Sequence, residues 1–186
     1  MSNNPKQFLC CAILKDEIEH ILQAENVEIR YLDAALHVDL KKLLSSVTDA
    51  IQAYDDKEKL TLLFGTGCHP EMENLVAQNG CRVAQARNCI ELLLGGDKMA
   101  EMDKEARTFY LTTGWLNNWR QIFEEGLKWD KVDARQNFGF YERIVLLDAG
   151  LVPIDDEKIL EFFDFAEVPI ETVPIDLDNL RKFLIA

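Results

Sequence analysis

The amino-acid sequence predicts an α/β fold, a three-layer sandwich around a mostly parallel sheet with a helix-rich C-terminal third. Short β-type segments alternate with amphipathic helical segments along the first two-thirds of the chain. This alternation is typical of parallel strands joined by right-handed helical crossovers. The length of 186 residues and the apolar fraction of 48% suit a single globular core. We therefore expect residues 1–186 to form one α/β domain.

The N-terminal half is predicted to contain four strands and the helices that connect them. Residues 7–14 are a continuous apolar run, as expected of a strand buried on both faces. The helical segments carry apolar residues at three- and four-residue spacing, which gives each of them one core-facing stripe. The remaining predicted strands are residues 27–32, 60–64 and, more weakly, 81–86, and the helices are residues 15–24, 40–54 and 71–78.

The C-terminal third is predicted to be mostly helical. Residues 108–112 predict a fifth strand, and the aromatic face of residues 115–127 predicts a helix. Residues 138–148 are largely apolar, so we expect them to be deeply packed. A further helix begins at Asp155 and Asp156, a last strand is confined to a sheet edge by its prolines, and a helix over residues 177–184 closes the chain. The inward-facing residues of the helix after Asp156 are predicted to be Ile159, Leu160, Phe162 and Phe163.

The charge and the termini exclude several classes of function. The chain has 20 Lys and Arg residues against 33 Asp and Glu residues, a formal net charge of −13. A protein this acidic is a poor candidate for binding nucleic acid or an anionic membrane surface. No apolar run approaches the roughly 18 residues that span a bilayer, and no signal peptide is apparent. We therefore expect a cytoplasmic protein whose five cysteines do not form structural disulfides.

The cysteines fall near the predicted carboxyl ends of several strands. Cys11 lies in the first strand next to Cys10, Cys68 follows the third strand, and Cys89 follows the fourth. Parallel strands end at one edge of a sheet, where ligands commonly bind, so these thiols are predicted to meet there. His37 follows the second strand, and His69 is adjacent to Cys68. Thiolates select zinc, copper(I) and Fe–S centres, so Cys11, Cys68 and Cys89, with His37 or His69, are candidate metal ligands.

Two other interpretations of these residues stay open from the sequence. Cys68 and Cys89 both precede helical segments, and a helix N-terminus favours a reactive thiolate, which would suit thiol catalysis. The cysteines would instead be structural if the chain were an interaction module or bound a small molecule such as a tetrapyrrole. In that case Gly65 and Gly67 would let the backbone approach a ligand, and Trp115 would form an aromatic wall over a planar cofactor, although core packing also explains Trp115.

An ordered set of motifs resembles an uncharacterised family catalogued as domain of unknown function 1638, found largely in anaerobic bacteria and methanogenic archaea. The matching segments are LCCAIL at residues 9–14, YLDAALH at 31–37, LLFG at 62–65 leading into CHP at 68–70, NCIELLLG at 88–95 and TFYLTTGW at 108–115. The similarity extends from about residue 8 to the C-terminus. Carried over by motif, it points to Cys11, His37, Cys68 and Cys89. Ala12 stands where the family pattern leads us to expect glycine, and Cys10 leaves two candidates for the first-strand thiol.

The resemblance implies an α/β domain, an anaerobic setting and an association with corrinoid-dependent methyl-transfer systems. Together with the thiol pattern, it leads to the hypothesis of a metal- or Fe–S-binding protein, with zinc as the other candidate metal. Such a protein would be a redox, metal-delivery or accessory component of corrinoid-dependent methyl metabolism. Its partners would then be a metal or a small molecule and a corrinoid-carrying or methyltransferase protein.

Overall fold

The N-terminal half of the molecule is built on a four-stranded, all-parallel sheet. The computed structural model describes residues 5–185. The strands lie in the order β2-β1-β3-β4, with β1 and β3 in the centre, so their apolar sequences are covered on both sides. Their bounds are Lys6–Cys11 for β1, Val27–Leu32 for β2, Leu60–Leu63 for β3 and Arg82–Val83 for β4.

Five α-helices lie in the described part of this half, and the three that connect its strands cover both faces of the sheet. Right-handed connections put α1 on one face and put α2 and α3 together on the other, and α2 packs against α3. The bounds are Lys15–Leu22 for α1, Leu40–Gln52 for α2, Met72–Asn79 for α3, Cys89–Leu94 for α4 and Gly96–Glu105 for α5. The first strand is shorter than the apolar run predicted, because Ala12–Leu14 turns as a 3-10 helix directly after β1.

The C-terminal half contains a second parallel sheet of three strands in the order β5-β6-β7. The apolar segment near residue 145 is its central strand, and its four middle residues are buried. The last strand is an edge strand, as its prolines predicted. The bounds are Thr108–Thr112 for β5, Arg143–Asp148 for β6, Ile170–Pro174 for β7, Thr113–Trp119 for α6, Lys131–Phe138 for α7, Asp156–Ala166 for α8 and Asp178–Ile185 for α9. A π-helical segment, Arg120–Gly126, continues α6.

The α/β class, the parallel strand pairing and the helix-rich C-terminal third are confirmed, and the strands divide into two sheets. Helices α4 and α5 separate β4 from β5, so the chain leaves the first sheet before the second begins. Helix α9 then returns to pack against α1 and α4 of the first half. Asn179 of α9 donates its side-chain N–H groups to the carbonyls of Glu91 and Leu92, 3.1 and 2.9 Å away, which caps the end of α4.

The predicted inward face of α8 is wrong at two positions. Leu160 is 65% exposed and Phe163 is 43% exposed, whereas Phe162, Phe165 and Ala166 are buried. The buried residues are spaced three and four apart and form one helical stripe, so the two exposed residues belong to the neighbouring stripe. No helix within residues 5–185 is long and apolar enough to cross a membrane.

Candidate functional site

The candidate site lies at the carboxyl edge of the first sheet, where the segments after the four strands meet. Cys11 is the last residue of the central strand β1 and pairs in register with Leu32 at the end of β2. His37 lies in the 3-10 turn Ala34–Val38 that follows β2. Cys68 lies in a 3-10 turn after β3, and Cys89 begins α4 after β4. The topology therefore brings residues that are far apart in the sequence to one edge.

His37 is held beside Cys11 by the turn that carries it. The Sγ atom of Cys11 lies 3.8 Å from Nδ1 of His37, and the same nitrogen lies 3.0 Å from the carbonyl oxygen of Ala34. Because a carbonyl oxygen only accepts, Nδ1 carries the proton and donates it to Ala34, which leaves Nε2 as the acceptor of the ring. Burial lowers the pKa of His37 below its usual 6.5, so the imidazole is predominantly neutral at pH 7.

Close backbone contact between two loops sets the positions of Cys68 and Cys89. A Cβ atom on Gly65 would lie only 2.1 Å from the carbonyl oxygen of Arg87, so the loops pack at a distance that glycine alone permits. The N–H of Gly67 donates to the same carbonyl at 2.9 Å. These glycines position the thiol-bearing segments, and Gly67 also lines the site.

The three thiols are protonated at neutral pH. Burial raises the pKa of Cys89 to about 12, and the nearby Cys68 thiol adds to that rise. Burial also raises the pKa of Cys68, and it raises that of Cys11 further, with contributions from Cys89 and Cys68. The N-terminus of α4 does not reverse this effect at Cys89, because desolvation of the thiolate outweighs the opposing hydrogen bonds from Trp115 and the backbone. Because the thiolate is the nucleophilic form of cysteine, these raised pKa values argue against the thiol-catalysis interpretation.

A cavity of about 510 Å³ opens above these groups, and we call it the carboxyl-edge cavity. His37, Cys68 and Cys89 form part of its lining from the first sheet, while β5 and the segment before β6 contribute aromatic residues from the second half. Cys11 lies beside His37 rather than in the lining itself. The large apolar and aromatic residues of the lining are Leu40, Ile90, Met99, Phe109, Tyr110, Trp115 and Tyr141.

Trp115 links the aromatic core of the C-terminal half to the thiols. Its ring is stacked on Phe123 at 5.9 Å between centroids and lies 5.6 Å from the ring of His37. Its side chain also acts to lower the pKa of the Cys89 thiol, against the larger effect of burial. Trp115 therefore packs against the aromatic core and also lines the carboxyl-edge cavity.

Besides Cys11, two other predicted residues, His69 and Gly65, lie outside the cavity lining. His69 is buried, and its Nδ1 accepts a hydrogen bond from the N–H of Glu71 at 3.0 Å at the start of α3, which makes it a local capping residue. Gly65 contributes close packing rather than a surface for a ligand. Of the first-strand pair, Cys11 is the residue that lies beside His37. The thiol of Cys10 instead contributes to the raised pKa values of Tyr31 and Tyr54. Successive residues of a strand face opposite sides of the sheet.

Helix α5 contributes residues to the cavity that were not among the predicted site residues. Met99 and Asp103 lie one helical turn apart on α5 and both line it. Asp103 accepts a hydrogen bond from the hydroxyl of Tyr110 at 2.7 Å. The sequence feature that could have indicated them is the i, i+4 spacing of Met99 and Asp103 on an amphipathic segment that follows the Cys89 helix.

The thiols and imidazoles do not, as placed, form a ligand set for a metal. Within residues 5–185 no group of three or more His, Cys, Asp or Glu side chains is arranged so that it could hold an ion. Cys11 and His37 approach one another, but Nδ1 of His37 is already bound to Ala34. The arrangement therefore does not fit a zinc or Fe–S centre without rotation of these side chains.

Comparison with known proteins identifies the family to which the chain belongs. No curated protein and no solved structure matches the chain. The sequence profile of the family described as "Protein of unknown function (DUF1638)" matches residues 31–184. The matched range contains His37, Cys68, Cys89 and every aromatic residue of the carboxyl-edge cavity. The match covers most of the 186 residues, and the chain therefore belongs to the DUF1638 family.

Proposed function

We propose that the chain is a small-molecule-binding protein and that the carboxyl-edge cavity takes an uncharged ligand containing a planar ring. The observation that carries this proposal is the composition of the cavity, which combines an aromatic wall with thiols and an imidazole that are uncharged at neutral pH. Its volume of about 510 Å³ lies in the range of ligand-binding pockets. The carboxyl edge of a parallel sheet is also a common location for such sites.

The absence of a positive charge favours a neutral ligand over an anion. No Lys or Arg residue occurs among the described residues that line the cavity. The only acidic side chain of that lining is Asp103, which accepts the hydroxyl of Tyr110. An ionic ligand would lose its hydration without gaining a full counter-ion, which is costly in a partly desolvated cavity. An aromatic ligand would gain both apolar burial and ring contacts with Phe109 and Trp115.

His37 is the residue best suited to orient such a ligand. Its Nδ1–H is fixed on Ala34, so the neutral ring presents Nε2 as an acceptor. A ligand N–H or O–H group donating to Nε2 would set the orientation of the ring system against Trp115. The thiols of Cys68 and Cys89 supply soft, weakly polar contacts beside it.

Binding of the uncharged planar dye Nile red tests this proposal. We expect saturable one-to-one binding, with a rise in dye fluorescence, to the wild-type chain. Cys68→Phe narrows the cavity at a half-buried position and should weaken binding by about tenfold or more. The matched control is the double variant Leu160→Ala, Phe163→Ala, which removes exposed apolar surface outside the cavity lining. Unchanged binding in Cys68→Phe, or lost binding in the control, would contradict the proposal.

A bound metal is the second candidate, favoured by the approach of Cys11 to His37. Two ligand atoms on one tetrahedral zinc lie roughly 3.5 Å apart, given Zn–S near 2.3 Å and Zn–N near 2.0 Å. The observed separation of 3.8 Å is close to that value. This candidate retains the hypothesis of a redox or accessory role in corrinoid-dependent methyl metabolism, with a corrinoid-carrying protein as partner. It requires that Nδ1 of His37 give up its proton and its hydrogen bond to Ala34, and that Cys68 and Cys89 turn toward the same point.

Metal and acid-labile sulfide analysis of protein purified without oxygen tests the second candidate. Stoichiometric metal should be lost together from Cys11→Ala, Cys68→Ala and Cys89→Ala, because one centre needs all of its ligands. Cys81→Ala is the matched control, since Cys81 is buried elsewhere and its thiol contacts the carbonyl of Val76. Metal-free wild-type protein, or metal retained in any of the three site variants, would reject the candidate.

A further inference from the structure

A second cavity lies at the opposite, amino-terminal edge of the first sheet. Its volume is about 320 Å³, and we call it the basic cavity after Lys6, Lys59, Arg82 and Lys182 in its lining. Lys6 begins β1, Lys59 precedes β3, Arg82 begins β4, and Lys182 lies on α9. It shares no lining residue with the carboxyl-edge cavity, because parallel strands begin at one edge of a sheet and end at the other. The two cavities are therefore separate sites.

The charge of this cavity is opposite to that of the chain. Among residues 5–185, twelve line this cavity, of which four are cationic and none is acidic, although the sequence has 33 acidic against 20 basic residues. Gathering like charges around one concavity is unfavourable and focuses a positive potential inside it. A bound anion would remove that repulsion.

Two of the cations are available to such an anion. Neither Arg82 nor Lys182 forms an ion pair or a side-chain hydrogen bond with another residue in the described range, 5–185. Lys59 is paired with Asp56, and Lys6 Nζ lies 3.4 Å from the carbonyl oxygen of Leu184. The guanidinium of Arg82 offers a planar pair of donors that matches two oxygens of a phosphate or carboxylate.

The remaining lining adds apolar surface to the basic cavity. Val83 and Phe183 are half-buried at this edge, so they present apolar surface beside the cations. We propose that the basic cavity binds a small organic oxyanion, with a phosphate or carboxylate group held by Arg82 and Lys182 and an apolar body on these side chains. This function is independent of the ligand proposed for the carboxyl-edge cavity.

Calorimetric titration of the full chain at low ionic strength, with phenyl phosphate, benzoate and benzyl alcohol as probes, tests the proposal. At least one of the two anions should bind saturably, and benzyl alcohol, which keeps the ring without the charge, should bind about tenfold more weakly or not at all. Stronger binding of phenyl phosphate than of benzoate identifies a phosphate site, and the reverse order identifies a carboxylate site. Absence of saturable binding by both anions, or equal binding of benzyl alcohol, would overturn the proposal.

Charge-removing variants locate the binding in this cavity. Arg82→Gln and Lys182→Gln should each weaken binding by about threefold to fivefold, the range of one partly screened ion pair. Arg181→Gln is the matched control, because Arg181 is exposed, adjacent in sequence and outside the cavity lining. Equal weakening by Arg181→Gln would show a general charge effect and reject the site. In the wild-type chain, raising the salt concentration should weaken the binding of the anions and leave any binding of benzyl alcohol unchanged. Anion binding that does not depend on salt would also reject the proposed site.

Discussion

The buried carboxyl group of Glu17 should make the stability of this protein depend on pH near neutrality. Glu17 lies in the first turn of α1 and is only 2% exposed. No ion pair joins it to another residue in the described part of the chain. Burial raises its pKa from 4.5 to about 7, with a smaller contribution from the negative charge of Asp16. The folded state therefore holds its proton up to a pH at which the unfolded chain has already lost it.

The sign and the size of the effect follow from this difference in pKa. Because the folded pKa of Glu17 is raised, its contribution to stability is fully present below pH 4.5 and is lost as the pH rises toward 7. One pKa unit corresponds to 1.36 kcal/mol, so the loss above pH 7 is about 3 kcal/mol. Glu17→Gln mimics the protonated acid at every pH. It should therefore be nearly neutral at pH 4.5 and stabilise the fold by up to about 3 kcal/mol at pH 8.

Urea unfolding of the wild type and Glu17→Gln at pH 4.5 and pH 8, followed by circular dichroism, measures this difference. Glu19→Gln is the matched control, since Glu19 is exposed on the same helix and pairs with Lys15 at 3.8 Å. The control should change the free energy of unfolding by less than about 0.5 kcal/mol at both pH values. If the stability gain of Glu17→Gln is the same at pH 4.5 and pH 8, the inference that burial keeps this carboxyl group protonated is refuted.

Three further substitutions separate packing that positions the carboxyl-edge cavity from packing that contributes to stability alone. Gly65→Ala should lower the free energy of unfolding by about 3 kcal/mol and weaken Nile red binding, because its Cβ would lie 2.1 Å from the carbonyl oxygen of Arg87. Gly80 has a φ of 68° and open space around it. Gly80→Ala should therefore lower the free energy of unfolding by about 1 kcal/mol without altering the dye affinity. Equal effects of Gly65→Ala and Gly80→Ala on stability and dye binding would contradict this distinction. Tyr54→Phe removes the buried hydrogen bond to the carbonyl of Phe8, 2.9 Å long, and should cost about 1 kcal/mol in urea unfolding with unchanged dye binding; an unchanged free energy of unfolding would contradict it.

The sequence pattern was most informative where a local rule determines a long-range result. Strands alternating with amphipathic helices implied parallel pairing, and parallel pairing implied that the segments after β1, β2 and β3 meet at one edge. The positions of Cys11, His37 and Cys68 around that edge follow from this rule alone. Periodicity was less informative at α8, where two adjacent stripes are both apolar and only packing selects Phe162 rather than Phe163.

Other parts of the candidate site depended on contacts that no local pattern encodes. The choice between Cys10 and Cys11 depends on which face of β1 the turn carrying His37 covers. His69 is adjacent to Cys68 in sequence, yet its side chain turns to accept the N–H of Glu71. Successive residues of a strand point to opposite faces of the sheet, and successive residues of a turn also point in different directions. Adjacency in the sequence therefore does not imply a shared site.

The sequence by itself determined the α/β class, the parallel pairing of the strands, the acidic character of the chain and the edge at which its thiols gather. The tertiary structure decided that the strands form two sheets and that the second half supplies Phe109, Tyr110 and Trp115 to the carboxyl-edge cavity. It also decided that burial leaves the thiols and His37 uncharged, and that four cations meet at the opposite edge. The physical reason is that hydrophobic periodicity reports whether a residue is buried, whereas charge state and cavity lining depend on which distant segments bury it.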